Sequence, residues 1–151
     1  DYYDGAPPGD YEEYVFAMEW QPEWSKSSCN DELSAHLPDS YASANLSVHG
    51  LWPNYNASLH DGLDWPQYCS GTYDYTTCEN DNYADAYCSP SAETVAAFNV
   101  TGLWQSYALE YAWSDLATHE WSKHGSCTGW TSEEYFTQVQ AMLYRMAQGA
   151  G

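Results

Sequence analysis

The sequence predicts an α+β domain in which strands and helices are joined by disulfide-tied loops. Three observations support this: strand patterns in the first third, a cysteine-rich irregular middle, and helical patterns in the last third. Strands that come first and helices that come later are typical of α+β folds, whereas regular alternation would indicate a parallel sheet. With 151 residues, 44% of them hydrophobic, the chain is long enough for one domain with a substantial core.

Two segments carry strand patterns. Residues 14–20 (YVFAMEW) are rich in aromatic and apolar residues and lie between turn signals. Residues 44–54 (ANLSVHGLWPN) alternate between apolar and polar side chains as far as His49, which is expected to point away from the apolar face. Gly50 and Pro53 are expected to end this strand.

The segments before and between these patterns are predicted to be irregular. Residues 1–13 form an acidic lead broken by two prolines and a glycine, so residues 14–151 are expected to make up the single domain. A polar loop follows the first strand as far as Pro38. Residues 55–90 are rich in Tyr, Asp, Asn, Gly and Cys without helical periodicity, which indicates a long loop region held by disulfides.

Four helices are predicted in the last third. The first follows Ser91 in an approximate capping box, and the second covers residues 102–113, where apolar residues recur three and four apart. The third is residues 118–125 (THEWSKHG), with Thr118 as its N-cap. The fourth covers residues 131–149, is capped by its first or second residue, and ends at a glycine.

Five cysteines and three N-x-S/T sequons favour an oxidising secretory compartment. The sequons begin at Asn45, Asn56 and Asn99, and no two cysteines form a CxxC pair. Because five is odd, one thiol has no partner within this sequence, and the pairing of the others stays open. We expect a secreted, extracellular protein, or a lysosomal or vacuolar one, that is glycosylated on these asparagines.

The formal net charge of -19, with only three Lys and Arg residues, excludes electrostatic, sequence-independent binding of nucleic acid. Any polyanion therefore has to be bound by a few nearby side chains and not by the charge of the whole surface. No run of about eighteen apolar residues exists, so no membrane span is predicted. The N-terminus lacks the basic and apolar regions of a signal peptide, so no retained signal peptide is predicted.

The segment HEWSKHGSC, residues 119–127, concentrates ionisable side chains on one helix face. At about 100° per residue, an arc of about 140° holds four of them. They are His119, Glu120, Lys123 and His124. A zinc H-E-x-x-H helix needs its histidines four residues apart, but here they are five apart and Lys123 takes the fourth position. We therefore expect no metal and no other cofactor.

This combination suits phosphoryl transfer without a metal. An ammonium group stabilises charge on phosphate oxygens, imidazoles donate or accept protons, and a carboxylate orients a neighbouring group. A second proton-transfer group is still required, and His49 is the candidate. The alternative is structural: a buried His–Glu pair beside a surface lysine.

The segments HGLWPN (residues 49–54) and HEWSKHGSC resemble the two active-site segments of the ribonuclease T2 family, and residues 14–29 resemble its first strand. The resemblance extends from Tyr14 to about Gln148. It implies an antiparallel sheet packed against several helices. It also implies a disulfide between Cys69 and Cys127, and it leaves the pairing of Cys29, Cys78 and Cys88 open.

The resemblance also implies an activity: endonucleolytic cleavage of single-stranded RNA to a 2′,3′-cyclic phosphate and then a 3′-phosphate, with low base specificity and an acidic pH optimum. His124 would be the base and His49 the acid, while the remaining ionisable groups, His119, Glu120 and Lys123, would hold the phosphate. Trp52 would stack on a base, with core packing as its alternative role, and Asn54 would lie near the base edge. DNA, which lacks the 2′-hydroxyl nucleophile, would not be cleaved.

Two departures from the family pattern bear on function. Glu19 stands where the family commonly has Gln, which is expected to raise the acidity near the site. The family usually continues into further strands where this chain stops, so the sequence is either part of a longer chain or a shortened relative. In the second case, an exposed sheet edge could pair with another copy, and the alternative function is a secreted glycoprotein that serves as a structural or self-assembling subunit.

Overall fold

The structure is a computed structural model that describes residues 1–24, 43–69, 88–99 and 113–149. Its strands are β1 (Tyr2–Asp4), β2 (Glu13–Glu19), β3 (Ser47–Asn54) and β4 (Trp65–Gln67). Its helices are α1 (Gln21–Trp24), α2 (Ala92–Asn99), α3 (Trp113–Lys123) and α4 (Ser132–Gly149), with a 3-10 turn at Gly125–Thr128 between the last two. Both strands and helices are present, as an α+β fold requires.

β2 and β3 form an antiparallel pair whose register runs from Glu13 opposite Asn54 to Glu19 opposite Ser47. β2 lies within one residue of its prediction. β3 begins later than predicted and continues to Asn54, so the expectation that Gly50 and Pro53 end it is wrong. A strand tolerates proline where no ladder hydrogen bond needs its missing N–H.

The pairing of these strands contains one irregularity at the position of His49. Ala17 is opposite Gly50 and the next residue, Met18, is opposite Val48, so His49 is an extra residue in β3 without a partner in β2. This is a β-bulge, a feature that bends a strand and turns a side chain to a different face. Simple alternation therefore does not hold across His49.

The prediction that residues 1–13 are irregular is wrong for part of that segment. β1 pairs in parallel with β4, Tyr2 lying opposite Trp65. Ala6 is fully buried against the two cysteines of a disulfide, and the N–H of Gly9 donates to the carbonyl of Cys127 at 2.9 Å. Pairing between segments about sixty residues apart depends on tertiary contacts, which a local pattern cannot show. β4 likewise lies inside the region predicted as loop.

The main core lies between β3, α3 and α4. Its buried members are Val48, Leu51, Ala117, Trp121, Tyr135, Phe136, Val139 and Leu143. Tyr135 also joins α4 to β3, because its hydroxyl accepts from the N–H of Leu51 and donates to its carbonyl, both at 3.2 Å. Leu46 is one of the apolar positions in the alternation of residues 44–54 and was therefore expected to be buried, but it precedes β3 and is exposed. The core thus holds β3 against both α3 and α4.

The helix predictions were correct at two caps and wrong at one. Ser91 Oγ accepts from the N–H of Thr94 at 3.1 Å at the start of α2. Thr131 and Glu134 form a reciprocal capping box at the start of α4, with Thr131 N–H donating to the Glu134 carboxylate at 2.8 Å. Thr118, however, is not an N-cap: α3 begins at Trp113 and ends at Lys123, so this threonine lies inside it.

Two further helix predictions differ in extent. The one predicted over residues 102–113 falls outside the described residues except at its last position, where α3 begins. The polar loop predicted after β2 instead starts with the one-turn helix α1. Among the described residues, none of the helices has the length and hydropathy of a membrane-crossing segment.

A disulfide joins Cys69, just after β4, to Cys127 in the 3-10 turn, as the resemblance implied. Both cysteines are buried. Cys88 is disulfide-bonded as well, whereas Cys29 and Cys78 lie outside the described residues. The N–H of Tyr68 also donates to the carbonyl of Lys123 at 2.9 Å. The segment after β4 is therefore attached to the end of α3.

Candidate active site

A cavity of about 250 Å³ lies where β3 and β4 meet the C-terminal end of α3. Eight residues line it: His49, Trp52, Asn54, Trp65, His119, Glu120, Lys123 and His124. The structure therefore brings together all seven residues that the sequence indicated as catalytic or base-binding. The eighth, Trp65, was not predicted.

The bulge explains how three β3 residues reach the same cavity. Trp52 and Asn54 are two apart and share a face of the strand. His49 is three residues before Trp52, so in a regular strand it would point to the opposite face. As the extra residue of the bulge, His49 is turned towards the cavity as well.

His49 lies between two carboxylates. Its Nδ1 contacts Oε1 of Glu19, and its Nε2 lies 3.2 Å from Oε1 of Glu120. The Glu120 side chain is 1% exposed, compared with 31% for His49. Hydrogen bonds to Glu120 and to Glu19 raise the pKa of His49 to about 10, because both carboxylates favour the protonated ring.

Trp52 stands between the two predicted catalytic histidines. Its ring centroid lies 5.4 Å from that of His49, edge to face, and 5.0 Å from that of His124. The indole Nε1–H donates to Oε2 of Glu120 at 2.6 Å. One carboxylate thus holds Trp52 through one oxygen and faces His49 through the other.

His124 follows the last residue of α3 and is buried, with 6% of its surface exposed. In the part of the chain that the structure describes, its Nδ1 is a buried side-chain nitrogen without a hydrogen-bond partner. Burial lowers the pKa of His124 well below its ordinary value, and the charges of Lys123, His119 and His49 lower it further. The environment therefore favours neutral His124.

The cavity can serve both halves of a proton-transfer reaction. Two imidazoles whose pKa values are shifted in opposite directions are suited to donate and to accept a proton. Lys123, at the end of α3, adds a cation to the same wall. Within the described ranges, no group of three or more His, Cys, Asp and Glu side chains is placed to hold a metal ion.

Two residues, Trp65 and Glu19, have positions at the site that the sequence did not predict. Trp65 reaches the cavity through β4, and its ring stacks on Tyr2 of β1 with centroids 5.9 Å apart. The sequence signal available for it was its position four residues before Cys69. Glu19 was expected to affect the site only through its acidity, whereas the structure places it on His49. That contact depends on the register of β2 against β3, which the sequence alone does not define.

The chain is similar in sequence to known ribonucleases. A profile described as the Ribonuclease T2 family matches residues 14–148. Ribonuclease DdI of Dictyostelium discoideum is 28% identical over 83% of this chain and 44% of its own length. Intracellular ribonuclease LX of Solanum lycopersicum is 28% identical over 84% of this chain and 45% of its own. Ribonuclease I of Escherichia coli is 26% identical over 85% of this chain and 51% of its own.

A solved structure shows the same fold. RNase NT in complex with 5′-AMP superposes with a TM-score of 0.60 and 24% identity, over 88% of this chain and 56% of that one. The chain spans about half the length of the relatives it matches in sequence. The matched profile covers most of the chain and includes both segments that line the cavity. The chain therefore belongs to the ribonuclease T2 family.

Proposed function

We propose that this chain carries the catalytic centre of an endoribonuclease that cleaves single-stranded RNA by transesterification. One observation carries the proposal: His49 and His124 line one cavity, with pKa values shifted in opposite directions, beside Lys123. Family membership and the names of the relatives support it. The alternative role as a structural or self-assembling subunit has no comparable support, because it leaves the convergence of these side chains unexplained.

In the proposed reaction, neutral His124 accepts the proton of a ribose 2′-hydroxyl. Because Nδ1 of His124 is buried, Nε2 is the nitrogen that can meet the substrate. The 2′-oxygen bonds to phosphorus, the bond from phosphorus to the 5′-oxygen breaks, and Nε2 of protonated His49 gives its proton to that oxygen. The products are a 2′,3′-cyclic phosphate and a free 5′-hydroxyl. Water then opens the ring to a 3′-phosphate with the two roles reversed.

Charge that develops on the phosphate oxygens needs a positive partner in a chain of net charge -19. Lys123 and His119 supply hydrogen-bond donors in the cavity. Glu120 suits a different role from the phosphate contact that the sequence suggested, because its buried carboxylate already accepts from Trp52 and faces His49. It would orient these two rings, and a direct contact with an anionic phosphate would be repulsive.

The substrate is proposed from the lining of the cavity. Trp52 and Trp65 offer aromatic faces on which any base can stack, which fits low base specificity, and Asn54 can hydrogen-bond a base edge. RNase NT was solved with a bound 5′-AMP, which supports a nucleotide site in this fold. DNA is excluded as substrate because the reaction consumes the 2′-hydroxyl.

The pH dependence follows from the two shifted pKa values. The base is active when His124 is neutral, and its pKa is lowered well below 6.5, so the acid limb of the rate profile lies below that value. The acid is active when His49 is protonated, and its pKa is raised to about 10, so the alkaline limb lies far higher. The active window therefore includes the acidic range expected from the sequence and extends through neutral pH.

We also propose that the protein is secreted and glycosylated. Disulfide formation needs an oxidising compartment, and glycosylation needs accessible asparagines. The buried disulfide supports the first, and the exposed side chains of Asn45 and Asn56 support the second. Asn99 ends α2. One relative is named as intracellular, so compartment is not common to the family. The mass lost on enzymatic deglycosylation of native protein measures sequon occupancy.

Cleavage of the dinucleotide UpA tests the proposed function. The wild-type chain is expected to release the cyclic phosphate, whereas His124→Ala and His49→Ala each lower kcat by about 10² to 10⁴-fold. His60→Ala is the matched control, because this histidine stacks on Tyr55 outside the cavity. The 2′-deoxy dinucleotide is expected to remain intact. A homogeneous folded preparation whose turnover is unaffected by the His49 and His124 substitutions would contradict the proposal.

A further inference from the structure

Glu19, which does not line the cavity, contacts Nδ1 of His49. Glu120, which approaches Nε2, is among the eight residues that line the cavity, whereas Glu19, which contacts Nδ1, is not. The last position of β2 and the bulge in β3 create this arrangement, because the bulge turns His49 while Glu19 stays in register opposite Ser47. Nδ1 is thus held by a residue outside the cavity, and Nε2 lies towards Glu120, which lines the cavity.

We propose that Glu19 is a positioning residue for the proton donor of the reaction. By accepting the Nδ1 proton of His49, its carboxylate fixes the orientation of the ring and leaves the transferable proton on Nε2. An imidazole without such a partner can rotate about its side-chain bonds and exchange between two tautomers, which reduces the fraction of molecules ready to react. The inference rests on the proposed function, since it assigns Glu19 a part in that reaction.

Two substitutions of Glu19 can separate its effect on the orientation of the His49 ring from the effect of its negative charge. Glu19 faces the ring from β2, and the groups from α3 and the residue after it are Glu120, His119, Lys123 and His124. Replacing Glu19 with Gln keeps an oxygen that can accept from Nδ1 but removes one negative charge. Replacing it with Ala removes both. The two variants should therefore affect different kinetic quantities.

The kinetic test measures UpA cleavage across pH for Glu19→Gln and Glu19→Ala. We expect Glu19→Gln to move the alkaline limb down by about one pH unit or more, with kcat at the plateau within about threefold of wild type. We expect Glu19→Ala to lower kcat by about 10- to 100-fold with little change in KM. Glu12→Gln is the matched control, because Glu12 holds Nε2 of His60 at 2.7 Å in a second Glu–His pair outside the cavity. It should leave the profile unchanged.

A spectroscopic test reads the contact itself. Long-range ¹H–¹⁵N spectra report the protonation of each ring nitrogen, and the His49 signals are those missing from His49→Ala. We expect His49 to titrate at lower pH in Glu19→Gln than in wild type. An unchanged titration would overturn the contact whether or not UpA is cleaved.

The outcomes distinguish this inference from the proposed function. Absence of UpA cleavage by wild type would overturn the function, and the spectra would still test the contact. Normal cleavage with an unchanged alkaline limb and kcat in both Glu19 variants would overturn the positioning role alone. If Glu19→Ala does not fold, the nearly isosteric Glu19→Gln still tests the positioning role. Its alkaline limb in the pH–rate profile and the titration of His49 in the spectra are then the deciding measurements.

Discussion

Gly50→Ala tests whether the position of the Glu120 carboxylate controls catalysis. A Cβ at Gly50 would lie 2.0 Å from Glu120 Oε2 and 2.4 Å from Trp52 Nε1. Ordinary contact begins at 3.4 Å, so the carboxylate has to move by about 1.4 Å. That movement breaks its bond with Trp52 and changes its approach to His49. A misplacement of about 1 Å in a catalytic constellation costs about 10²-fold in rate, or about 2.7 kcal/mol of transition-state stabilisation.

The assay is kcat/KM for UpA, measured together with urea unfolding. Overpacking is expected to lower the free energy of unfolding by about 1–3 kcal/mol as well. Gly62→Ala is the matched control. Its φ of +86° makes a side chain unfavourable by about 1–2 kcal/mol, but no atom lies within 4 Å of the new Cβ. This variant should lose stability and keep its activity. The reasoning is refuted if folded Gly50→Ala retains kcat/KM within about threefold of wild type, or if both variants lose activity equally.

Three further predictions concern the frame that holds the site, and urea unfolding measures each. Tyr135→Phe leaves the buried N–H and carbonyl of Leu51 without their hydroxyl partner and should cost about 1–3 kcal/mol; a cost near zero would show that the backbone finds other partners. Replacing Cys69 and Cys127 together by Ala opens a loop of sequence separation 58, which predicts a loss of about 4 kcal/mol from chain entropy; an unchanged midpoint would contradict this. Thr131→Ala removes the cap of α4 and should cost about 1 kcal/mol without altering kcat.

The sequence was informative wherever function depends on spacing within one element. His119 and Lys123 share a face of α3 because they are four residues apart, and His124, which follows the last residue of the helix, lines the same cavity. The start of α4 was predictable because a capping box involves residues three apart. The start of α3 was not, because Thr118 is compatible with a helix interior as well as with a cap.

Contacts between distant segments were decided only by the tertiary structure. Simple alternation along β3 would put His49 and Trp52 on opposite faces, and the bulge that places both at the cavity becomes visible only in the register against β2. Trp65 reaches the cavity because β4 pairs with β1, and Glu19 meets His49 because two strands align. The sequence therefore predicted the types of chemical group in the site, because residue types and their spacing along the chain are defined by the covalent structure. It did not predict their mutual orientation, because this orientation depends on how strands pair and pack across the whole domain.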